Sequence, residues 1–251
     1  MNNVETEPLQ RALAAETYLR LNLERQLARA NVEFEDFISL AAHNLREPLR
    51  DVAAFSQLLA ETYAGRLDSD ADGFLDRIQQ GAASIEAVLA AVVDYWSVGN
   101  GGREPSLTDM ESVLCQALLR ADKQIVARTA VVTHDPLPPA MGDFELLTKV
   151  LHHLIQNAIA YGDAASPRIH ISSRLVEPGC EFSVRDNGLG IAPAFQSRIF
   201  GAFKRLHGRE YPGNGLGLAF CKKAVEGLGR RMSVESTLGS GSTFYFTLPT
   251  A

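Results

Sequence analysis

The sequence predicts an α+β fold in two parts: an N-terminal helical hairpin, then an α/β sandwich with helices on one face of a mixed sheet. Three observations carry this. Residues 8 to about 64 contain no glycine and repeat apolar residues at steps of four and three. Residues 98–105, VGNGGREP, stop that pattern with three glycines and a proline. Beyond them, segments of helical period alternate with segments of period two.

In the first helix the repeat runs through Leu9, Leu13, Leu23, Leu27, Ala30, Phe34, Phe37, Ala41, Leu45, Val52, Phe55 and Leu59. Glu16 and Arg20 interrupt it, and Pro48 also falls on it. Such a row makes a narrow seam, as in a coiled coil or a helical bundle. A second helix is expected over about 70–97, with Phe74, Ile78, Ile85, Leu89 and Val92 on one side. The segment AGRLDSD joins the two. A hairpin alone has too little core, so the expectation is a homodimer whose two hairpins form a four-helix bundle.

After the break, helices are expected at about 109–127, 144–161, 193–203 and 215–228. Strands are expected at about 129–133, 168–175, 180–186, 230–236 and 242–248, the last being STFYFTL. The expected divisions are a leading helix or coiled coil over 1–35, the hairpin over 36–98, a linker over 99–105 and the sandwich over 106–251.

Composition narrows the function classes. The 251 residues are 46% hydrophobic and 22% charged, with a net charge of −6. No apolar run approaches the roughly 20 residues that span a bilayer, and no dense basic block suggests a nucleic-acid groove. The N-terminus lacks the pattern of a secretory signal. Cys115, Cys180 and Cys221 are scattered and odd in number, which fits neither a disulfide framework nor a zinc site and suggests a reducing, cytoplasmic setting.

His43 lies in AAHNLREPLR. At about 100° per residue it falls nearly opposite the seam through Phe37, Ala41, Leu45 and Val52, with Glu47 one turn further along. Pro48 removes the helical partner of the Asn44 carbonyl and favours a kink. An exposed neutral imidazole is a good nucleophile near neutral pH. Taken alone, a surface histidine beside a tolerated proline is the better account of the stretch.

Three stretches of the second half bear on the choice. HHLIQNAIAYG (152–162) puts His153, Asn157 and Tyr161 on one helical face. RDNGLGIAP (185–193) ends a strand in Asp186 and Asn187, then turns through Gly188 and Gly190. YPGNGLGLAFCKKAVEGLG (211–229) places Gly213, Gly215 and Gly217 before a helix, where free N–H groups suit a phosphate. Each alone is weak, and GNGLG on its own fits a flexible turn.

In this order and spacing the stretches resemble the sensor histidine kinases of two-component systems. The resemblance covers about residues 30–250, in the boxes AAHNLREPL, HHLIQNAIAY, DNGLGI, IFGAFKRLHG and GNGLGL. The run FKRLHGREYPGNGLGLAFCKK looks most like the phytochrome-associated branch. The family's nucleotide domain shares its fold with type II topoisomerases, large heat-shock chaperones and mismatch-repair ATPases.

By position, the resemblance implies an ATP-dependent protein-histidine kinase. His43 would be phosphorylated, and its phosphoryl group would pass to an aspartate in the receiver domain of a response regulator. Residues 1–35 would be a signalling helix receiving input from a sensor domain or subunit not in this chain, and 36–98 the dimerisation and histidine-phosphotransfer domain. Asn157 would hold the Mg²⁺ that bridges the ATP phosphates. Asp186 would accept the adenine amino hydrogen, with Thr243 nearby through water. Tyr161, Gly188 and Gly190 would shape the nucleotide pocket. Gly213, Gly215, Leu216, Gly217 and Leu218 would hold the phosphates under a lid over roughly 193–214. Phe200 and Phe203 would anchor that lid, and Lys204, Arg205 and His207 would either approach the γ-phosphate or be solvated.

Four positions depart from the family pattern. Asn44 replaces the acidic residue that follows the histidine and cannot accept its proton. Glu47 replaces the Thr or Asn found in many relatives and stands as a substitute base. His153 replaces the first asparagine of its box, and Ala160 replaces a basic residue that contacts phosphate. These departures keep a second expectation open: a catalytically weak or inactive dimeric scaffold or phosphotransfer module.

Overall fold

The computed structural model describes residues 6–98, 105–162, 166–206, 211 and 213–250, with side chains from residue 16 onward. They form two compact units, Met1–Glu86 and Ala87–Ala251.

The first unit holds helix α1 (Thr6–Thr62) and most of α2 (Ser69–Ser97). α1 runs through Pro48 as one helix. Between them Gly65 takes φ +72°, and the Asp68 carboxylate accepts the Ala71 N–H at 2.8 Å to start α2. Ala42, Ser56, Leu75 and Ala82 are the buried side chains described in this unit. The seam read from the sequence lies elsewhere on α1: Phe34, Phe37, Leu45, Val52, Phe55 and Leu59 are all exposed in the single chain, as are Phe74, Ile78 and Ile85 of α2. Apart from Leu75 the buried residues are small, and most of the large apolar ones stand uncovered.

The second unit begins with the last turns of α2. Lys149 donates to Asp94 at 2.6 Å. Lys223 donates to the Tyr95 carbonyl at 3.0 Å and lies 4.9 and 5.0 Å from the Tyr95 and Trp96 ring centroids. Val98 enters the core. These contacts place the division between units at Glu86, inside α2. Residues 99–104 of the expected linker lie outside the described residues.

The chain then forms β1 (Ser106–Thr108), α3 (Met110–Ala127), β2 (Val131–His134), β3 (Ala140–Gly142), α4 (Phe144–Ala160), β4 (Arg168–Val176), β5 (Gly179–Asp186), α5 (Pro193–Gln196), α6 (Gly217–Gly227), β6 (Met232–Ser236) and β7 (Ser242–Leu248). Asp109 and Asp143 cap α3 and α4, accepting N–H groups of the first turn. A five-stranded sheet has the order β2-β4-β5-β7-β6. Its β2–β4 pair is parallel and its other pairs antiparallel, the mixed sheet expected. One face buries Ile169, Ile171, Phe182, Val184, Phe244 and Phe246 in a core shared with α3, α4 and α6. Residues of alternate register, such as Ser172, Ser183 and Tyr245, fall on the other face.

Two expectations change. The helix expected over 193–203 is one turn, Pro193–Gln196. Past it Ile199 and Phe200 pack into the core and Phe203 takes φ +58°, which ends any helical path. β1 and β3 pair as a separate small sheet; each has three residues, too few to show a period.

Candidate functional site

A cavity of about 450 Å³ opens in the second unit. Its walls come from the C-terminal turns of α3 and α4, the turn after β5, the N-terminus of α6 and residues 199–206.

Asp186 ends β5 and is buried. Its Oδ1 accepts the Gly188 N–H at 2.8 Å and the Ser242 N–H at 3.1 Å. Oδ2 takes no hydrogen bond from the described residues and remains for a donor in the cavity. Burial pushes this carboxyl above the usual range, and the two N–H donors oppose that shift.

The turn after Asp186 is clamped onto α4. A Cβ on Gly188 would stand 2.1 Å from the Tyr161 carbonyl oxygen, and that same oxygen accepts the Leu189 N–H at 3.0 Å. Gly190 has φ +68°, and a Cβ there would meet the Thr237 carbonyl oxygen at 2.0 Å. Glycine is therefore required at both positions. Gly190 lines the cavity, whereas Gly188 supports the wall from behind.

α4 presents His153, Asn157 and Tyr161 together, as their spacing predicts. The Asn157 side chain is half-buried and makes no hydrogen bond with the described residues. Its amide oxygen is a hard donor that fits Mg²⁺, an ion that keeps water and phosphate oxygens as its other ligands. The His153 ring packs edge-on against Phe220 at 5.1 Å, and burial, with the neighbouring His152, lowers its pKa to about 4. Tyr161 stacks on Tyr211 at 5.1 Å, and burial raises its phenol pKa.

Gly213, Gly215, Gly217 and Leu218 line the cavity where α6 begins. The first turn of a helix leaves N–H groups without intrahelical partners. Leu216 caps this helix and is buried behind the wall, and its N–H goes to the Asn214 side chain at 3.0 Å. Lys204 and Arg205 line the cavity; Arg205 also donates to the Tyr211 carbonyl at 2.6 Å. His207 lies outside the described residues.

Thr243 is a correction. It lines a groove with Ser172, Ser183 and Tyr245, away from the cavity. β7 alternates, and Phe244, Phe246 and Leu248 face the core, so Ser242 shares their side and Thr243 does not. Ser242, which binds Asp186 and lines the cavity, is the residue the sequence reading missed; the period of STFYFTL was the signal. Phe203 is the second correction, being 58% exposed. Phe200 alone of the pair packs inward, edge-on to Phe244 at 6.4 Å.

Gln124 and Arg128 of α3 and Gln156 of α4 also line the cavity. The two from α3 carry no motif, and only the pairing of α3 with α4 brings them here. His43, Asn44 and Glu47 belong to the first unit and are exposed there.

Residues 142–251 match the family described as histidine kinase-, DNA gyrase B-, and HSP90-like ATPase. Cyanobacterial phytochrome A of Nostoc sp. is 42% identical over 228 residues, 90% of this chain and 30% of that protein. Phytochrome-like protein Cph1 of Synechocystis sp. is 38% identical over 228 residues, again 90% of this chain and 30% of that protein. The chain thus spans about 30% of the length of these curated relatives. The crystal structure of full-length ShkA in complex with AMPPNP has a similar fold, with a TM-score of 0.67 at 24% identity over 86% of this chain and 46% of that one. Among the described residues no helix is long and apolar enough to cross a membrane. Residues 142–251 thus form a domain of this ATPase family, and the chain is homologous to phytochrome-associated and other sensor histidine kinases.

Proposed function

We propose that this chain is the kinase core of a sensor histidine kinase, autophosphorylating His43 from ATP and passing the phosphoryl group to an aspartate of a response regulator. The observation that carries the reading is the cavity: a buried carboxylate with one free oxygen, an unpaired asparagine amide and a glycine-lined helix N-terminus stand around one space. That set suits a purine at one end and a metal-bound polyphosphate at the other.

Asp186 Oδ2 would accept the adenine amino hydrogen. Asn157 would hold Mg²⁺, which neutralises charge on the phosphates during transfer. The N–H groups at the start of α6 and the Lys204 ammonium would orient the phosphates. A neutral ring nitrogen of His43 would attack the γ-phosphorus as the bond to the ADP oxygen breaks. The attacking ring then sheds its N–H proton, and Glu47, one turn along the helix, is the carboxylate on hand to take it. The exposed apolar rows of both helices support a homodimer. A cytoplasmic setting, an upstream sensor segment and a receiver-domain partner belong to the same proposal.

The test is incubation with γ-labelled ATP and Mg²⁺. Acid-labile, alkali-stable label is expected on wild type and none on His43→Gln. Equal labelling of the two proteins overturns the assignment. ATP binding without any label supports instead the weak or inactive scaffold, the reading favoured by Asn44 and Ala160.

A further inference from the structure

α3 leads into β2 and α4 leads toward β4, and these strands pair in parallel, Val131 opposite Arg168. Both helices therefore finish at the same end of the sheet, beside the turn that follows Asp186. α4 finishes at Ala160, whose methyl group lines the cavity. α3 finishes with Arg128 as its C-cap, and Arg128 lines the same cavity.

The backbone holds Arg128 firmly. Its N–H reaches the Gln124 and Val126 carbonyls, Thr129 turns at φ +48°, and the Ala130 N–H closes on Ile125 O at 2.9 Å. The guanidinium is exposed and makes no hydrogen bond or ion pair with the described residues. Arg205, the other arginine that lines the cavity, is engaged with the Tyr211 carbonyl at 2.6 Å. Among the described residues the one acid lining the cavity, Asp186, sits under the glycine turn, whereas Arg128, Lys204 and Arg205 line it with positive charge.

Resting on the ATP reading above, we infer that Arg128 supplies the cationic contact to the nucleotide phosphates that Ala160 cannot make. A guanidinium presents a planar fork of donors that matches two phosphate oxygens at once. The phosphate cation has moved from the end of α4 to the end of the helix beside it. Arg128 is a binding residue for the polyphosphate and has no part in recognising the base.

Calorimetry on the whole chain tests this with Mg-ATP and, separately, adenosine. Arg128→Gln should weaken Mg-ATP binding about tenfold, the loss of one modest charge-assisted contact, and leave adenosine binding unchanged. Arg128→Lys should keep most of the affinity. Ala160→Lys added to Arg128→Gln should restore it. Unchanged Mg-ATP binding in Arg128→Gln overturns the inference and leaves the ATP site standing. An equal loss for adenosine also overturns it, because the residue then only braces the end of α3. A wild-type chain that binds no Mg-ATP overturns the ATP reading itself and this inference with it.

Discussion

The two units treat their aromatic residues oppositely. In the second, Phe182 is 0% exposed and stacks on Phe246 at 5.4 Å, inside a core that sheet and helices close within one chain. In the first, Phe37 is 63% and Phe55 65% exposed. Among the described residues, α1 buries the small side chains of Ala42 and Ser56. Its large apolar residues lie on another side, which one chain does not cover. The first unit thus leaves its large apolar rows open in the single chain, while the second closes its core within it.

The largest expected effect breaks this contrast at its strongest point. Phe182→Ala should cost the second unit about 3–5 kcal/mol, as for other buried aromatics, read as a lower urea midpoint. Phe55→Glu should leave that unit's melting unchanged and reduce the mass by light scattering from twice 27.3 kDa to 27.3 kDa. If wild type already scatters as a single chain, Phe55 is only a surface residue and the contrast has another cause.

A smaller effect concerns acid. His153 titrates near pH 6.5 when unfolded and at about 4 when folded, so between those values the unfolded chain binds more protons. Stability is complete above pH 6.5 and falls as pH drops toward 4, by up to about 3 kcal/mol. His153→Asn should flatten that fall in the urea midpoint of the second unit. Parallel pH profiles for the two proteins would assign the acid sensitivity to other groups.

The smallest effect separates stability from function inside the cavity. Burial raises the Asp186 pKa, so its charge burdens the fold above the usual carboxylate range. An asparagine oxygen can keep both bonds, to Gly188 and to Ser242. Asp186→Asn should therefore melt no lower than wild type at pH 7, and slightly higher, while ATP affinity drops by about tenfold or more, ~1.4 kcal/mol. A marked fall in melting temperature would make the carboxylate a structural group.

Much of this was legible in the chain itself. Apolar period gave both long helices, because a helix repeats every 3.6 residues regardless of what it packs on. The alternation in STFYFTL gave β7, and the glycines at 188 and 190 announced a turn whose backbone tolerates no Cβ. Asn157 and Tyr161 came together because residues four apart share a helical face. The tertiary structure decided the rest. A local pattern shows which residues of a helix are apolar but not which side its neighbour covers, so Ala42 rather than Phe37 proved to be buried. It does not set strand phase relative to a distant carboxylate, so Ser242 stands by Asp186 where Thr243 was expected. Nor does it bring the end of α3 beside the end of α4. That juxtaposition comes from the parallel pairing of β2 with β4, residues nearly 40 apart in the chain, and it alone puts Arg128 at the cavity.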